Sequence, residues 1–227
     1  MVLDIYGEAV KDFYQNQFIA PLLLNNSYGE PEEMPIEVFF REEVDLSTID
    51  HLALIECSGK ILDVGAGTGV HSLILQERGF HVVALENSPR CVEVMTQSGI
   101  EKVINIDFRK HYEKYDTLLV LMNGLGLAGK LKNLTTTLQH FKSLLTKGGQ
   151  ILIDSSDISY LYEGAEFPST HYFGEVSYQY EYKKKKGTWF DWLYVDQDTL
   201  SKHAKQAGLK LEILMTEEND QYLAHLS

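Results

Sequence analysis

Residues Ile61-Leu62-Asp63-Val64-Gly65-Ala66-Gly67-Thr68-Gly69 carry the clearest chemical signal in the chain. A short apolar run leads directly into three glycines at alternate positions. Without a Cβ, glycine lets the backbone turn sharply and come close to a ligand. In α/β sheets, a strand that ends in such a turn and opens a helix seats a nucleotide-like cofactor. The dinucleotide fingerprint sets its third glycine five places after the first. Here Gly69 comes four places after Gly65 and Val70 follows, so the spacing speaks against a dinucleotide. Asp63, two places before the first glycine, is also foreign to that pattern.

About 20 residues on, where an acid would take the hydroxyls of a ribose, the run His81-Val82-Val83-Ala84-Leu85 ends in Glu86. Asn87-Ser88-Pro89 follows, with Ser88 as a helix N-cap and Pro89 as the first helical residue.

Together these segments resemble the class I S-adenosylmethionine-dependent methyltransferases. Asp63-x-Gly65-x-Gly67-x-Gly69 is similar to their first motif, and Glu86 stands where their ribose-binding acid stands. Asp107, in Asn105-Ile106-Asp107-Phe108, resembles the acid that meets the adenine amino group. The segment 115–123 resembles the fourth strand and its functional end, and 144–153 the helix, Gly-Gly turn and fifth strand. The resemblance covers roughly residues 47–157, and more weakly 196 onward. It implies cofactor contacts at Asp63, Gly65, Ala66, Gly67, Gly69, Glu86, Asn87, Asp107, Phe108 and Asn123, with S-adenosylmethionine as cofactor. Phe108 packs either on the adenine or in the core, Asp63 either meets the methionine end or caps its own loop, and Asn123 either meets a ligand or caps its loop. The corner Asn123-Gly124-Leu125-Gly126 lacks the Asn/Asp-Pro-Pro-aromatic signature of base amino-methylation and the Pro-Cys nucleophile of cytosine-C5 enzymes.

The elements that must hold these residues follow from periodicity. Helical spacing of apolar residues marks 4–18 and 47–57, with turn-forming residues across 25–35. Strands at 61–65, 81–86, 102–106, 116–122 and 150–154 alternate with helices at 68–78, 89–97 and 131–146. Such alternation predicts a doubly wound α/β sheet with ligands at the strands' C-terminal edge. After residue 157 the pattern changes. Val176-Ser-Tyr-Gln-Tyr-Glu-Tyr182 alternates with period two, Lys183 to Gly187 make a turn, and an aromatic return strand follows. A helix at 197–207 and strands at 209–216 and 221–226 close the chain. With this layout the resemblance implies a Rossmann-like seven-stranded sheet, mostly parallel with an antiparallel last strand. The expected divisions are an N-terminal helical cap (1–57), a cofactor-binding core (58–157), an aromatic hairpin insertion (158–195) and a C-terminal completion of the core (196–227).

With 20 basic against 33 acidic residues the net charge is −13, which repels a phosphate backbone and argues against nucleic acid. The one basic run, Lys183 to Lys186, reads as a solvated hairpin tip. Cys57 and Cys91 have no metal-type spacing, and the eight histidines form no metal set. His71 and His111 lie nearest the motifs, but no general base is identifiable. No signal sequence or membrane-length apolar run is visible, so a soluble cytoplasmic protein is expected, monomeric or homodimeric. The aromatic residues Tyr6, Tyr14, Phe39, Phe40, Tyr160, Tyr172 and Trp189 are candidates for an acceptor pocket or for plain core. The reading is methyl transfer to a small molecule. Its alternatives are a catalytically silent cofactor-binding protein, a protein or nucleic-acid methyltransferase, and, against the glycine spacing, an NAD-type oxidoreductase.

Overall fold

The computed structural model describes residues 3–227. Asp4 caps α1 (Ile5–Tyr14) by accepting from the Gly7 amide. Then come β1 (Leu22–Asn26), β2 (Glu32–Met34), two short 3-10 turns and α2 (Thr48–Glu56). The alternating part consists of β3 (Lys60–Val64), α3 (Val70–Glu77), β4 (His81–Glu86), α4 (Pro89–Gln97), β5 (Val103–Asn105), β6 (Tyr115–Val120), α5 (Leu131–Ser143) and β7 (Leu145–Ser156). The remainder is β8 (Glu175–Tyr182), β9 (Lys185–Lys186), β10 (Phe190–Leu193), α6 (Gln197–Gln206), β11 (Leu211–Thr216) and β12 (Gln221–Leu226).

The larger sheet has seven strands in the order β11-β12-β7-β6-β3-β4-β5. β6 with β7 and β4 with β5 are parallel, while β12 runs antiparallel to both of its neighbours. This is the Rossmann-like methyltransferase arrangement expected from the sequence. The strands need apolar residues on both faces, and Ile61, Leu62, Val83, Leu118, Leu119, Ile151 and Leu152 are all buried. The order runs outward from β3 in both directions, so the end of β3 is a topological switch point, and it carries the glycine loop.

The chain forms two interleaved compact units. The first takes the chain up to Ser47 with Leu62–His111 and Ser177–Phe190. Its apolar centre joins Ile5, Ala9 and Val10 of α1 to Leu22, Ile36, Cys91, Val94 and Tyr182. A second sheet, in the order β10-β8-β1-β2 with β9 on β8, brings strands from both ends of the chain side by side. Leu23 pairs with Glu181 and Asn26 with Tyr178. The second unit takes Thr48–Ile61, Tyr112–Val176 and Asp191–Ser227. Leu134, Leu138 and Phe141 of α5 and Leu200 and Ala204 of α6 are buried there, and the Tyr222 hydroxyl donates to the Val195 carbonyl at 2.6 Å.

Two local expectations change, and a third gains detail. The stretch expected to be loop at 25–35 supplies the end of β1 and all of β2, because β1 finds its partner in β8. Gly148 and Gly149 lie inside β7 rather than before it: the strand starts at Leu145 and its register against β6 shifts between Tyr115 and Thr117. The basic run lies at an exposed hairpin tip as expected, but three of its lysines are paired there. Only Lys183 and Lys184 take the left-handed turn conformation, while Lys183 pairs with Asp12 (2.5 Å), Lys185 with Glu8 (3.0 Å) and Lys186 with Glu181 (3.3 Å).

Candidate functional site

The glycine loop lies in the first unit and is built from backbone geometry. Gly65, Gly67 and Gly69 have φ of +73°, +58° and +83°, values that glycine alone adopts without strain. At Gly69 a Cβ would also run into Ile100 and Met95. The amides of Gly65 and Ala66 both donate to the Leu85 carbonyl, at 2.8 and 3.1 Å, which ties the loop to the end of β4.

Glu86 completes that tie. Its Oε1 accepts from the amides of Asn87 and Ser88, both at 2.8 Å, and its Oε2 accepts from the Gly67 amide at 3.0 Å. Burial pushes its carboxyl above the usual range, opposed by those three amides. A carboxylate oxygen accepts two hydrogen bonds, so Oε2 keeps a direction for a ligand hydroxyl. Ser88 caps α4 by accepting from the Cys91 amide (3.1 Å), and its own hydroxyl donates to Asp4 at 2.7 Å.

Asp63 is buried and accepts from the Ser72 hydroxyl at 2.7 Å, which anchors the first turn of α3. Burial raises its carboxyl, opposed first by His71 and then by Ser72. Asp107 turns its carboxylate to Arg109, with contacts from 2.6 to 3.1 Å, and this hydrogen-bonded pair lowers its pKa. Phe108 is buried beside it, and the Asn105 side-chain amide donates to the Glu86 carbonyl at 2.9 Å.

An aromatic group stands over the loop in the same unit. The Tyr6 ring meets Phe39 edge-on at 5.1 Å and stacks on Tyr180 at 5.2 Å. Its hydroxyl lies 3.3 Å from where a Cβ on Gly67 would sit. The Thr68 hydroxyl is bonded to the Phe39 carbonyl, which fixes this wall to the loop. Tyr14 and Phe40 pack in the same cluster. The other aromatic candidates are placed elsewhere: the Tyr172 hydroxyl donates to Asp196 at 2.5 Å, and Tyr160 and Trp189 are exposed.

Asn123 belongs to the second unit. It and Met122 both take the left-handed conformation, at φ +56° and +63°, an uncommon arrangement for two non-glycine residues in sequence. The Ser156 hydroxyl donates to the Asn123 side chain at 2.8 Å. Asp154, which the sequence reading passed over inside an apolar strand, is buried beneath this turn. It accepts from the Gly124 amide (3.0 Å) and the Gln221 side chain (2.8 Å). Burial raises its carboxyl, opposed by the Asn123 and Gly124 amides. The signal available for it was an acid set against the apolar run of β7, where only a paired charge is tolerated. No cluster of histidine, cysteine and acidic side chains able to hold a metal occurs among the described residues.

A loop with glycine at three alternate positions, open towards the Tyr6 hydroxyl and closed below by a carboxylate with an acceptor direction left, fits a ribose-bearing cofactor. Comparison with known proteins defines which. A methyltransferase-domain family model matches residues 40–213. A S-adenosylmethionine-dependent methyltransferase from Bacteroides fragilis, solved with S-adenosylhomocysteine, is 36% identical, with a TM-score of 0.92 over 100% of this chain and 97% of its own. A glycine/sarcosine/dimethylglycine N-methyltransferase from Actinopolyspora halophila is 29% identical over 124 residues, 50% of this chain and 22% of that protein. A glycine/sarcosine N-methyltransferase from Halorhodospira halochloris is 30% identical over 104 residues, 42% of this chain and 39% of that protein. The chain thus spans less than half the length of these two curated relatives. Fold and loop together define the S-adenosylmethionine-dependent methyltransferase class. The chain belongs to the methyltransferase-domain family, and its cofactor is S-adenosylmethionine.

Proposed function

We propose that this chain transfers the methyl group of S-adenosylmethionine to a small-molecule acceptor, with an amine nitrogen the favoured atom. The observation that carries the reading is the Gly67–Glu86 hydrogen bond at 3.0 Å beneath the Tyr6 hydroxyl, which preorganises a cofactor cradle. Gly65, Ala66, Gly67 and Gly69 supply the close backbone, Glu86 and Asn87 the ribose end, Asp107 and Phe108 the adenine end, and Asp63 the methionine end, while Asn123 is a contact for cofactor or acceptor. Residues 58–157 are the cofactor-binding core in this reading, with the flanking segments 1–57 and 158–195 forming the acceptor side and 196–227 completing the core.

The cofactor brings an activated methyl on a sulfonium with a neutral thioether as leaving group. What remains for the protein is alignment and exclusion of water. Support for a small acceptor comes from charge: the net −13 disfavours a polyanion, and three lysines of the one basic run are already paired. Support for nitrogen comes from the glycine and sarcosine N-methyltransferases among the relatives. The test is methyl-labelled S-adenosylmethionine offered with glycine, sarcosine and a panel of small primary and secondary amines. Label on a small amine is expected; label only on added protein or nucleic acid, or none despite tight S-adenosylhomocysteine binding, would overturn the reading.

A further inference from the structure

Tyr6 is presented to the glycine loop by a dedicated arrangement of its neighbours. Asp4 takes the Gly7 amide (2.9 Å) on one oxygen and the Ser88 hydroxyl (2.7 Å) on the other, so it caps α1 and fastens it to the start of α4. Gly7 makes that approach possible: a Cβ there would overlap both the Asp4 carboxylate and the Ser88 hydroxyl. The residue between, Tyr6, is thereby fixed with its ring between Phe39 and Tyr180 and its hydroxyl at the open side of Gly67. The ring is fully engaged. The hydroxyl is not a buried atom left without a partner, and the residue is half-buried, so it stays accessible on the open side of Gly67, where a ligand can reach it.

We propose that Tyr6 is a cofactor-contacting residue, whose hydroxyl donates a hydrogen bond to an oxygen of the S-adenosylmethionine bound at Gly67. The inference rests on the proposed function for the identity of the ligand, and deepens it by making α1 the roof of the cofactor site. Burial, with smaller contributions from Cys91, Tyr180, Glu86 and Asp4, holds the phenol well above its ordinary range, so it acts as a donor and not as a base. The cofactor's ribose and methionine carboxylate would each offer an oxygen able to accept from it.

The test is Tyr6→Phe, which keeps the ring and its stacking and removes only the oxygen. Isothermal calorimetry with S-adenosylhomocysteine on the full chain reads the cofactor contact without turnover. A five- to twenty-fold weaker Kd is expected, with a melting temperature unchanged or slightly raised. An unchanged Kd would overturn the proposal, and so would an unchanged Kd accompanied by a higher KM for the acceptor, since the hydroxyl would then serve the acceptor. Failure of the wild-type chain to bind S-adenosylhomocysteine would instead strike the proposed function, so the two failures are distinguishable.

Discussion

The Gly67 amide donates to Glu86 Oε2 at 3.0 Å, and this bond joins the tip of the glycine loop to the end of the neighbouring strand. A carboxylate that accepts three backbone amides is a structural clasp as well as a ligand acceptor. Glu86→Gln keeps the shape but gives up the charge that strengthens those bonds. The expected outcome is an S-adenosylhomocysteine Kd weakened about tenfold, or ~1.4 kcal/mol, and a lowered melting temperature. Glu86→Ala is expected to weaken binding further, because the Gly67 amide then has no partner. Calorimetry and thermal melting on both variants check the order.

Gly67→Ala probes the other end of the same bond. Its φ of +58° already disfavours a side chain, and the added methyl would sit 3.3 Å from the Tyr6 hydroxyl. A destabilisation of about 1 kcal/mol from backbone strain and a loss of cofactor affinity are expected together. Gly79→Ala is the control: its φ is +86° but nothing lies within 4 Å, so it should show the stability loss without the binding loss.

Asp154 holds the turn at Met122 and Asn123. Asp154→Ala leaves the buried Gly124 amide without its acceptor, at a cost of about 1–3 kcal/mol, and frees the half-buried Gln221 side chain. Asp154→Asn retains one carbonyl oxygen and should lose less. If the turn serves the reaction, as its family position implies, the turnover number falls in Asp154→Asn by more than the cofactor Kd changes. Urea unfolding, calorimetry and initial rates separate these effects.

Asp63, Glu86 and Asp154 are all raised by burial from ordinary values of 3.8, 4.5 and 3.8. A carboxyl with a raised folded pKa adds stability that is full below its unfolded value and is lost as pH rises through the folded one. Acidification from alkaline pH down towards those ordinary values should therefore raise the melting temperature, and easing the repulsion of a −13 surface acts in the same direction. Asp107 has the opposite sign: Arg109 lowers its pKa, so its contribution is lost only at the acid end. A melting series across this range checks the slope.

The large sheet was legible because β3 and β4 are local apolar runs closed by a glycine and an acid, and α3, α4 and α5 display the helical period between strands. Glu86 was legible for the same reason, as the last residue of such a run. What escaped depends on distant partners. The three leucines at 22–24 become an inner strand of the second sheet only because Tyr180 and Glu181 lie beside them. The lysines at 183–186 looked free because their acids, Glu8 and Asp12, sit at the other end of the chain. Tyr6 was one aromatic candidate among seven, and only the Asp4–Gly7–Ser88 contact separates it from Tyr160 and Trp189. Asp154 was hidden by its apolar neighbours.

The pairing of β1 with β8 also bears on how the protein is made. The Tyr182 hydroxyl and Lys183 reach Asp12 across 170 and 171 residues of chain. During synthesis the glycine loop and its Glu86 clasp emerge long before Tyr180, the ring on which Tyr6 leans. The floor of the cradle can thus form on the ribosome while α1 still waits for its neighbour, and non-local pairings of this kind close slowly. The newborn chain has the Asp4–Ser88 fastening of α1 at hand early, and the Tyr180 side of the cradle wall is the part added last.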